Sequence, residues 1–248
     1  FVQPYDDYAD NGKSDINPTF PTRDNYVFET TIEYGDRETD IASRAKFNLV
    51  SEKQVSAATT IDLAMNRFYF YGVAGLQNFG LLNDPNLPNA LTPVNGASGQ
   101  KTWPTKTAVE RYNDILALVA DLADRSKGYI DENSRLKLVI SPARSPLLLG
   151  TSDLMANSVK ALLKEGLPNL DVVVAPEMST DAGEMMMLFA DVVDADDTAN
   201  KVADLVFSEK MRAGRVVPYL SHFKQKYSAG TFGAVIFQPF AVASMLGI

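Results

Sequence analysis

Side chains that could carry chemistry are few in this sequence. The chain of 248 residues has no cysteine and one histidine, His222. These counts exclude a Cys–His dyad and a zinc site built from several histidines. A Ser-His-Asp triad would have to use His222, but no Gly-x-Ser-x-Gly motif presents a serine for it. Because His222 lies in the strand-like segment Tyr219–Lys224, a structural histidine, exposed or hydrogen-bonded, is the favoured interpretation.

Acidic side chains and closely spaced glycines do not form a recognisable site either. The aspartates Asp191, Asp194, Asp196 and Asp197 lack the central glycine and closing glutamate of a calcium-binding loop, so they indicate a solvated turn. The pairs Gly72/Gly75 and Gly96/Gly99 lack the Gly-Lys-Ser/Thr ending of a phosphate-binding loop. The sequence therefore predicts no catalytic residue, no cofactor and no metal, and nothing in it positively supports an enzyme.

The composition is that of an acidic globular chain, with 46% hydrophobic residues, a net charge of -8 and a pI near 4.7. This charge argues against a surface that grips nucleic acid, although an acidic protein can confine DNA without gripping it. The longest nearly apolar run, Ala234–Leu246, is interrupted by Gln238 and Pro239 and is too short to span a bilayer. No signal peptide is visible. The first residue is Phe1 instead of Met, which leaves open whether a maturation protease removed preceding residues.

The first part of the chain predicts an arm and a ribbon. Residues 1–25 are rich in Asp and Pro, and two interpretations stay open: a disordered tail, which composition slightly favours, or an arm that orders against a neighbouring subunit. Aromatic and β-branched residues in Tyr26–Tyr34 predict a strand, Gly35-Asp36 predicts a turn, and Arg37–Val50 predicts a weaker return strand. Because a two-stranded ribbon is marginal in water, this one indicates assembly.

Two amphipathic helices follow, joined by a corner. Apolar residues at spacings of three and four predict helices over Glu52–Phe70, capped by Ser51, and over about Lys106–Ser126. Glycines and prolines in Arg67–Pro88 predict a rigid corner that contains Gly80-Leu81-Leu82-Asn83. The predicted core stripe of the second helix is Val109, Tyr112, Leu116, Val119 and Ala123.

The second half predicts an α/β unit and a hairpin. A helix is predicted from Thr151 to Glu165, among apolar strands. A long hairpin is predicted from Val216–Tyr227 and Thr231–Phe240, turning at Ser228-Ala229-Gly230. The predicted apolar strands are Leu136–Ile140, Leu170–Ala175 and Glu184–Val193.

Taken in order, these segments resemble the tailed-phage major capsid proteins of the Hong Kong phage capsid fold, which bacterial encapsulins share. The resemblance covers nearly the whole chain and includes the motifs Gly80-Leu81-Leu82-Asn83, Ser141-Pro142-Ala143 and Gln238-Pro239-Phe240-Ala241-Val242. It implies an α+β fold with an N-terminal arm, a β-ribbon called the E-loop, a P-domain with a long spine helix, and an α/β A-domain. The implied divisions are residues 1–25 for the arm, 26–51 for the E-loop ribbon, 52–135 for the P-domain with its spine helix over about 106–126, 136–211 for the A-domain, 212–237 for the P-domain hairpin strands, and 238–248 for a C-terminal segment returning to the A-domain.

The resemblance also implies a function. It indicates a structural protein whose copies self-assemble, through pentamers and hexamers, into an icosahedral shell around a double-stranded DNA phage genome. The packaged DNA would be held without sequence-specific contacts, portal and decoration proteins are further candidate partners, and no membrane is involved. The implied location is the virion capsid, after assembly in the cytoplasm of the bacterial host. The residues implied in assembly contacts are Tyr34, Gly35, Asp36, Arg37, Glu38, Gly80, Leu81, Leu82 and Asn83.

Two alternatives stay open. An encapsulin-like nanocompartment would share the fold but enclose a protein cargo, and the Pro- and Asp-rich residues 1–25 depart from the helical, cargo-docking N-terminus usual in encapsulins. A soluble α/β enzyme or binding protein would need a pocket with convergent polar groups, which the sequence does not indicate. That second alternative predicts a small, monodisperse species, whereas a shell protein predicts rings or particles.

Overall fold

The computed structural model describes residues 22–151, 157–193 and 199–248, which form two sheets with helices packed against them. The first sheet has three antiparallel strands in the order β1-β9-β8. We call this sheet, with the helices α1 and α2 that follow its first strand, the arm half. Its elements are β1 (Tyr26–Gly35), α1 (Asp36–Arg44), α2 (Leu49–Tyr71), β8 (Ala203–Pro218) and β9 (His222–Ile236).

The second sheet has five strands and forms, with two helices, the α/β half. Its strand order is β10-β5-β2-β3, with β4 paired to β5. The strands β2 and β3 are parallel, and the chain segment that connects them contains α4. The elements are α3 (Ala108–Arg125), β2 (Leu136–Ile140), α4 (Val159–Gly166), β3 (Leu170–Val174), β4 (Ser179–Thr180), β5 (Gly183–Ala190) and β10 (Val242–Leu246). A two-stranded ribbon of β6 (Val192–Val193) and β7 (Ala199–Asn200), and 3-10 turns at Trp103–Thr105, Ser145–Leu149, Pro176–Met178 and Pro239–Ala241, complete the described structure.

Local sequence explains why the α/β half forms. The apolar run of β5 lies between β2 and β10, and its residues Met186, Met187 and Leu188 have no exposed surface, as expected for a strand covered on both faces. The helix α3 begins at a capping box, in which the Thr107 side chain and the Glu110 carboxylate each accept a hydrogen bond from the other's backbone N–H. The α/β half is thus a sheet whose strand β5 is buried and apolar, with the capped helix α3 packed against it.

The predicted return strand over Arg37–Val50 is wrong. Residues 36–44 form the helix α1, and β1 pairs with β9 along its whole length instead of with a following strand. Acidic side chains at Asp36 and Glu38 favour a helix start at this point, since they face the positive end of the helix dipole. The partner strand of β1 comes from nearly two hundred residues later in the chain, which a local pattern cannot reveal.

The predicted hairpin turn at Ser228-Ala229-Gly230 is also wrong. These residues lie in the middle of β9, and the hairpin turns at 219–221. Ala229 is fully buried against α2, and a side chain at Gly230 would collide with the Ser208 hydroxyl, 2.2 Å from the added carbon. The small residues therefore allow close packing in a strand, whereas the sequence pattern indicated a turn.

The helices predicted from the sequence are present, but their caps, first residues or buried faces differ from the prediction. The first begins at Leu49, where the Asn48 side chain accepts a hydrogen bond from the Ser51 N–H, so Asn48 is the cap in place of Ser51. The helix predicted from Thr151 begins only at Val159, and residues 152–156 lie outside the described residues. The buried stripe of α3 is one residue out of phase with the prediction and consists of Ile115, Leu118 and Leu122 with Ala108 and Asp114.

The two long helices pack against different sheets. The helix α3, predicted as the P-domain spine, packs against β10, β5 and α4 of the α/β half. The helix that lies along the three-stranded sheet is α2, through contacts with β9 and β1.

Candidate assembly surfaces

Five of the predicted contact residues lie together at one end of the arm half. Tyr34 and Gly35 end β1, and 36–38 form the first turn of α1. The hairpin turn 219–221 lies beside them, because the Asp36 N–H donates a hydrogen bond to the Ser221 carbonyl at 3.1 Å. We call residues 33–38 together with 219–224 the arm tip. The local sequence pattern does not predict the hairpin turn at this surface, because the small residues at 228–230 indicate a turn there instead.

Charge pairs and ring contacts hold the arm tip together. The Tyr34 and Phe223 rings stack with centroids 5.5 Å apart. Lys53 on α2 pairs with Glu38 at 2.8 Å and also donates to the Glu33 carbonyl. The hydrogen bond from Lys53 is the main reason that the pKa of Glu38 lies below its ordinary value. These contacts therefore give the arm tip a defined conformation.

Apolar side chains are exposed at the arm tip and near it. Leu220 at the hairpin turn is completely exposed, and Tyr219 is 54% exposed. In the α1 region, Ile41 is 59% and Phe47 is 49% exposed. Single exposed apolar residues are ordinary on monomers, whereas several close together are typical of interaction surfaces, so the arm tip is a candidate contact surface.

The other four predicted contact residues form a tight corner at the far end of α2. The Leu81 and Leu82 N–H groups donate to the carbonyls of Tyr69 and Phe70, at 2.8 and 3.0 Å. The chain thus folds back onto the last turn of the helix. A side chain at Gly80 would lie 2.3 Å from the Phe70 carbonyl group, so this position requires glycine.

Polar side chains fix the corner from within the subunit. Asn83 accepts from the Gly80 N–H at 2.7 Å and donates to the Tyr71 carbonyl at 2.8 Å. The buried Asn78 donates to the Thr231 carbonyl on β9 at 2.9 Å and to the Asp24 carbonyl at 3.1 Å. The corner therefore connects α2, β9 and the chain entering β1, which is a role inside one subunit.

The structure does not bring the two predicted groups together. Lys53, at the start of α2, contacts the arm tip, whereas Tyr71, at its end, contacts the corner. A helix of 23 residues spans about 34 Å. The arm tip and the corner are therefore separate surfaces.

A groove between α2 and β8 is a third surface, which the sequence analysis did not identify. It encloses about 410 Å³ and is lined by apolar Met65, Tyr69, Leu205 and Phe207, with polar residues Asp62, Asn66 and Lys210. Burial raises the pKa of Tyr69. Phe207 is 49% exposed on β8, whose outer edge is unpaired. The alternation of Leu205 and Phe207 is the available signal in the sequence, but the family resemblance implies that residues 136–211 form the A-domain.

The described residues offer little for catalysis or metal binding. Among them no group of three or more His, Cys, Asp or Glu side chains is placed to hold a metal ion. Asp194, Asp196 and Asp197 lie outside the described residues. The buried pair of Lys106 and Asp114, at 2.5 Å, receives a further hydrogen bond from the Trp103 indole and joins the start of α3 to the preceding turn. None of the described helices has the length and hydrophobicity of a membrane span.

Comparisons with known proteins agree on one kind of protein. The family described as Pa193 gp26 major capsid protein matches residues 2–247. No curated protein matches the sequence. The capsid of Myoviridae phage XM1 is similar in structure, with a TM-score of 0.73 at 13% identity, covering 91% of this chain and 74% of that one.

Two further solved structures show the same likeness. The capsid of the native GTA particle has a TM-score of 0.62 at 14% identity, covering 90% of this chain and 72% of that one. The virus-like particle from Pyrococcus furiosus has a TM-score of 0.56 at 16% identity, covering 89% of this chain and 76% of that one. At these identities the structural likeness establishes the fold, and the family match is the finding that bears on function.

Proposed function

Since the chain belongs to the Pa193 gp26 major capsid protein family, and so is a subunit of a phage capsid shell, we propose that its copies enclose a double-stranded DNA phage genome in an icosahedral shell. The match over residues 2–247 carries this proposal. The predicted α+β capsid fold is confirmed, with the corrections given above. Within the proposal, copies form pentamers and hexamers in the cytoplasm of the bacterial host, and portal and decoration proteins complete the virion.

The charge of the chain supports confinement of DNA without specific contacts. With a net charge of -8, the subunit lacks the excess of basic residues that sequence-reading proteins need. Mutual repulsion would keep packaged DNA mobile against the shell. We propose a structural role without enzymatic activity, because the family is one of capsid proteins.

The packing supports a division into two domains that differs from the predicted one. We assign α2 with the sheet β1-β9-β8 to the P-domain, because α2 is 23 residues long and packs along that sheet. We assign α3 and α4 with the five-stranded sheet to the A-domain. The C-terminal strand β10 pairs with β5 and so joins the same unit.

We propose further that the arm tip and the groove are contacts between copies. The tip carries the exposed Leu220, and the groove is apolar and open at an unpaired edge strand. A projecting apolar residue and a groove elsewhere on the same chain allow a head-to-tail contact, and repeated contacts of this type build rings and larger assemblies. The corner residues 80–83 remain a weaker proposal, since their hydrogen bonds are internal.

The native mass of the purified chain tests self-assembly, and a matched pair of variants tests whether the arm tip is a contact between copies. Light scattering and negative-stain imaging of the purified chain should show pentamers, hexamers or closed particles. Leu220→Asp should leave the circular dichroism spectrum unchanged and abolish these assemblies. The control is Val94→Asp, at a position that is 73% exposed in a loop outside the proposed contacts, and it should assemble normally.

Each part of the proposal has its own contrary result. Normal assembly by Leu220→Asp would exclude the tip as a contact. A wild-type chain that stays near 27.1 kDa at every concentration would contradict self-assembly. Particles from infected cells that hold a protein cargo and no DNA would favour the encapsulin-like alternative.

A further inference from the structure

We propose that His222 is a pH-sensitive clasp in the arm tip. When protonated, its imidazole binds the Glu33 carboxylate and fixes the hairpin turn 219–221 to β1. The inference rests on the proposed function, in which the arm tip contacts other copies. It adds a regulation of that surface by pH.

The imidazole of His222 lies close to the Glu33 carboxylate but makes no hydrogen bond with it. His222 is the first residue of β9 and lies opposite Gly35 on β1. Its Nε2 atom is buried and makes no hydrogen bond, although Glu33 Oε1 lies 3.3 Å away. The ring stacks on Tyr219 with centroids 4.7 Å apart and an angle of 5° between the planes, which holds its orientation. A buried polar atom beside a carboxylate gains an ion pair when it becomes cationic.

The charges around His222 favour this pairing. Lys224 on β9 binds the other oxygen of Glu33, Oε2, at 3.1 Å and lies 5.5 Å from the centroid of the Tyr219 ring. From the helices, Lys53 donates to the Glu33 carbonyl and is itself paired with Glu38. The nearest residues of β8, 216–218, carry no charge. Glu33 is thus the one carboxylate facing the imidazole among these groups, and its Oε1 is directed to His222.

Histidine makes this contact sensitive to pH in the ordinary biological range. It is the side chain whose charge normally changes between about pH 5 and about pH 8, and the chain has one. In mild acid the imidazolium and Lys224 share the Glu33 carboxylate, and the turn that carries Leu220 is held against β1. In mild alkali the Lys224 pair and the Asp36–Ser221 backbone hydrogen bond hold the turn alone. The exposed apolar tip is therefore more ordered in acid than in alkali.

Hydrogen exchange measured on unassembled subunits tests the clasp. Amides of residues 219–224 are compared at about pH 5.5 and about pH 8, as protection factors corrected for the intrinsic pH dependence of exchange. We expect about two- to fivefold more protection in acid, which is the effect of one partly exposed ion pair. His222→Gln and Glu33→Gln should both remove this gain. Glu29→Gln, which removes the neighbouring pair of Glu29 with Lys226, should keep it.

The possible results distinguish a failure of the clasp from a failure of the proposed shell assembly. No gain in the wild type, or a gain that persists in His222→Gln, overturns the clasp and leaves the assembly proposal intact. Because exchange is measured before assembly, the result does not depend on whether Leu220 contacts another copy. Assembly yield at the two pH values is the second readout: with the clasp, wild type and His222→Gln differ in acid and coincide in alkali.

Discussion

The two halves of the subunit bury very different amounts of their own apolar surface. Among the residues that the structure describes, twenty-eight buried hydrophobic residues form one continuous cluster, and nearly all of them lie outside the arm half. In the arm half, the corresponding cluster has six members. These six lie between α2 and the sheet: Ile32, Ala57, Ile61, Met65, Tyr227 and Ala229.

The difference indicates which half would gain more stability from contacts with other copies. The arm half has a 23-residue helix and a hairpin with strands of 16 and 15 residues, but α2 buries only three of its residues and β8 buries none. Exposed apolar residues remain on its outer side, including Leu63 at 67% and Val55 at 58% on α2. Burial of this surface by other copies would stabilise the arm half on assembly, since binding to the folded state adds to its stability. The α/β half has little need of that contribution.

Polar contacts join the halves at the end of α2. The Asn66 amide donates to the Glu177 carboxylate at 2.5 Å, and the Tyr71 hydroxyl donates to the Glu177 carbonyl at 3.0 Å. Apolar contacts lie beside these links, since Phe70 of α2, Ala203 of β8 and Ile236 of β9 pack in the cluster of the α/β half. Because the small cluster under α2 is separate from that one, we expect the two halves to respond differently to damage.

The largest expected effect is that of Leu118→Asp in α3. Leu118 has no exposed surface, so the change removes a core side chain and buries a charge without a partner. The combined cost is about 5 kcal/mol or more, comparable with the whole stability of a domain. We expect the variant to be insoluble, or to show the circular dichroism spectrum of an unfolded chain in buffer without urea.

Leu116→Asp is the matched control for that prediction. Leu116 lies on the same helix but is only half-buried, so we expect a loss of about 1–2 kcal/mol and a folded protein. Equal damage from both variants would show that the buried stripe of α3 has been placed wrongly.

Ile61→Asp should have a smaller effect that stays in the arm half. Ile61 is 1% exposed at the centre of the small cluster, and its replacement should open α2 from the sheet at a cost of about 3–5 kcal/mol. Hydrogen exchange should then be fast in β1, α2 and β9 and remain slow in β2 and β5. Global unfolding, with loss of protection in β5, would contradict the independence of the two halves.

The sequence predicted the α/β half better than the arm half, and the reason is contact range. The strands at 136–140 and 170–174 are short apolar runs, which a local pattern can identify. The first of them buries Leu136, Leu138 and Ile140. The pairing of β1 with β9 joins residues about 190 positions apart, and no local pattern indicates it. Small residues at 228–230 then gave a false turn, because glycine favours both turns and close packing.

The candidate surfaces show the same limit. The sequence predicts residues 34–38 at the tip of a ribbon, whereas in the structure they form the junction of a strand with a helix. The hairpin turn beside them became visible only from the register of β8 and β9. The groove needs two elements distant in sequence, α2 and β8, so it could not be predicted from either one.

The smallest expected effect compares one carboxylate from each half. Backbone hydrogen bonds from Thr107 at 2.8 Å and Ala97 at 2.7 Å lower the pKa of Glu110, which caps α3. Lys53 lowers the pKa of Glu38 in the arm tip. A carboxyl with a lowered pKa in the folded state stabilises the protein above its ordinary value of 4.5, and this stabilisation is lost as the pH falls through the lower folded value. Glu110 accepts these two bonds with its two different oxygens, and glutamine has one acceptor oxygen, so Glu110→Gln removes the charge and one of the two hydrogen bonds.

The comparison of the two halves predicts different readouts for these two variants. Glu110→Gln should slightly lower the urea midpoint of global unfolding at neutral pH, and its difference from the wild type should vanish in acid, where Glu110 is protonated in both states. Glu38→Gln should leave that midpoint unchanged and only speed hydrogen exchange at the arm tip. If Glu38→Gln lowered the global midpoint as much as Glu110→Gln, the arm tip would be part of the cooperative core, and the arm half would not depend on neighbours for its stability.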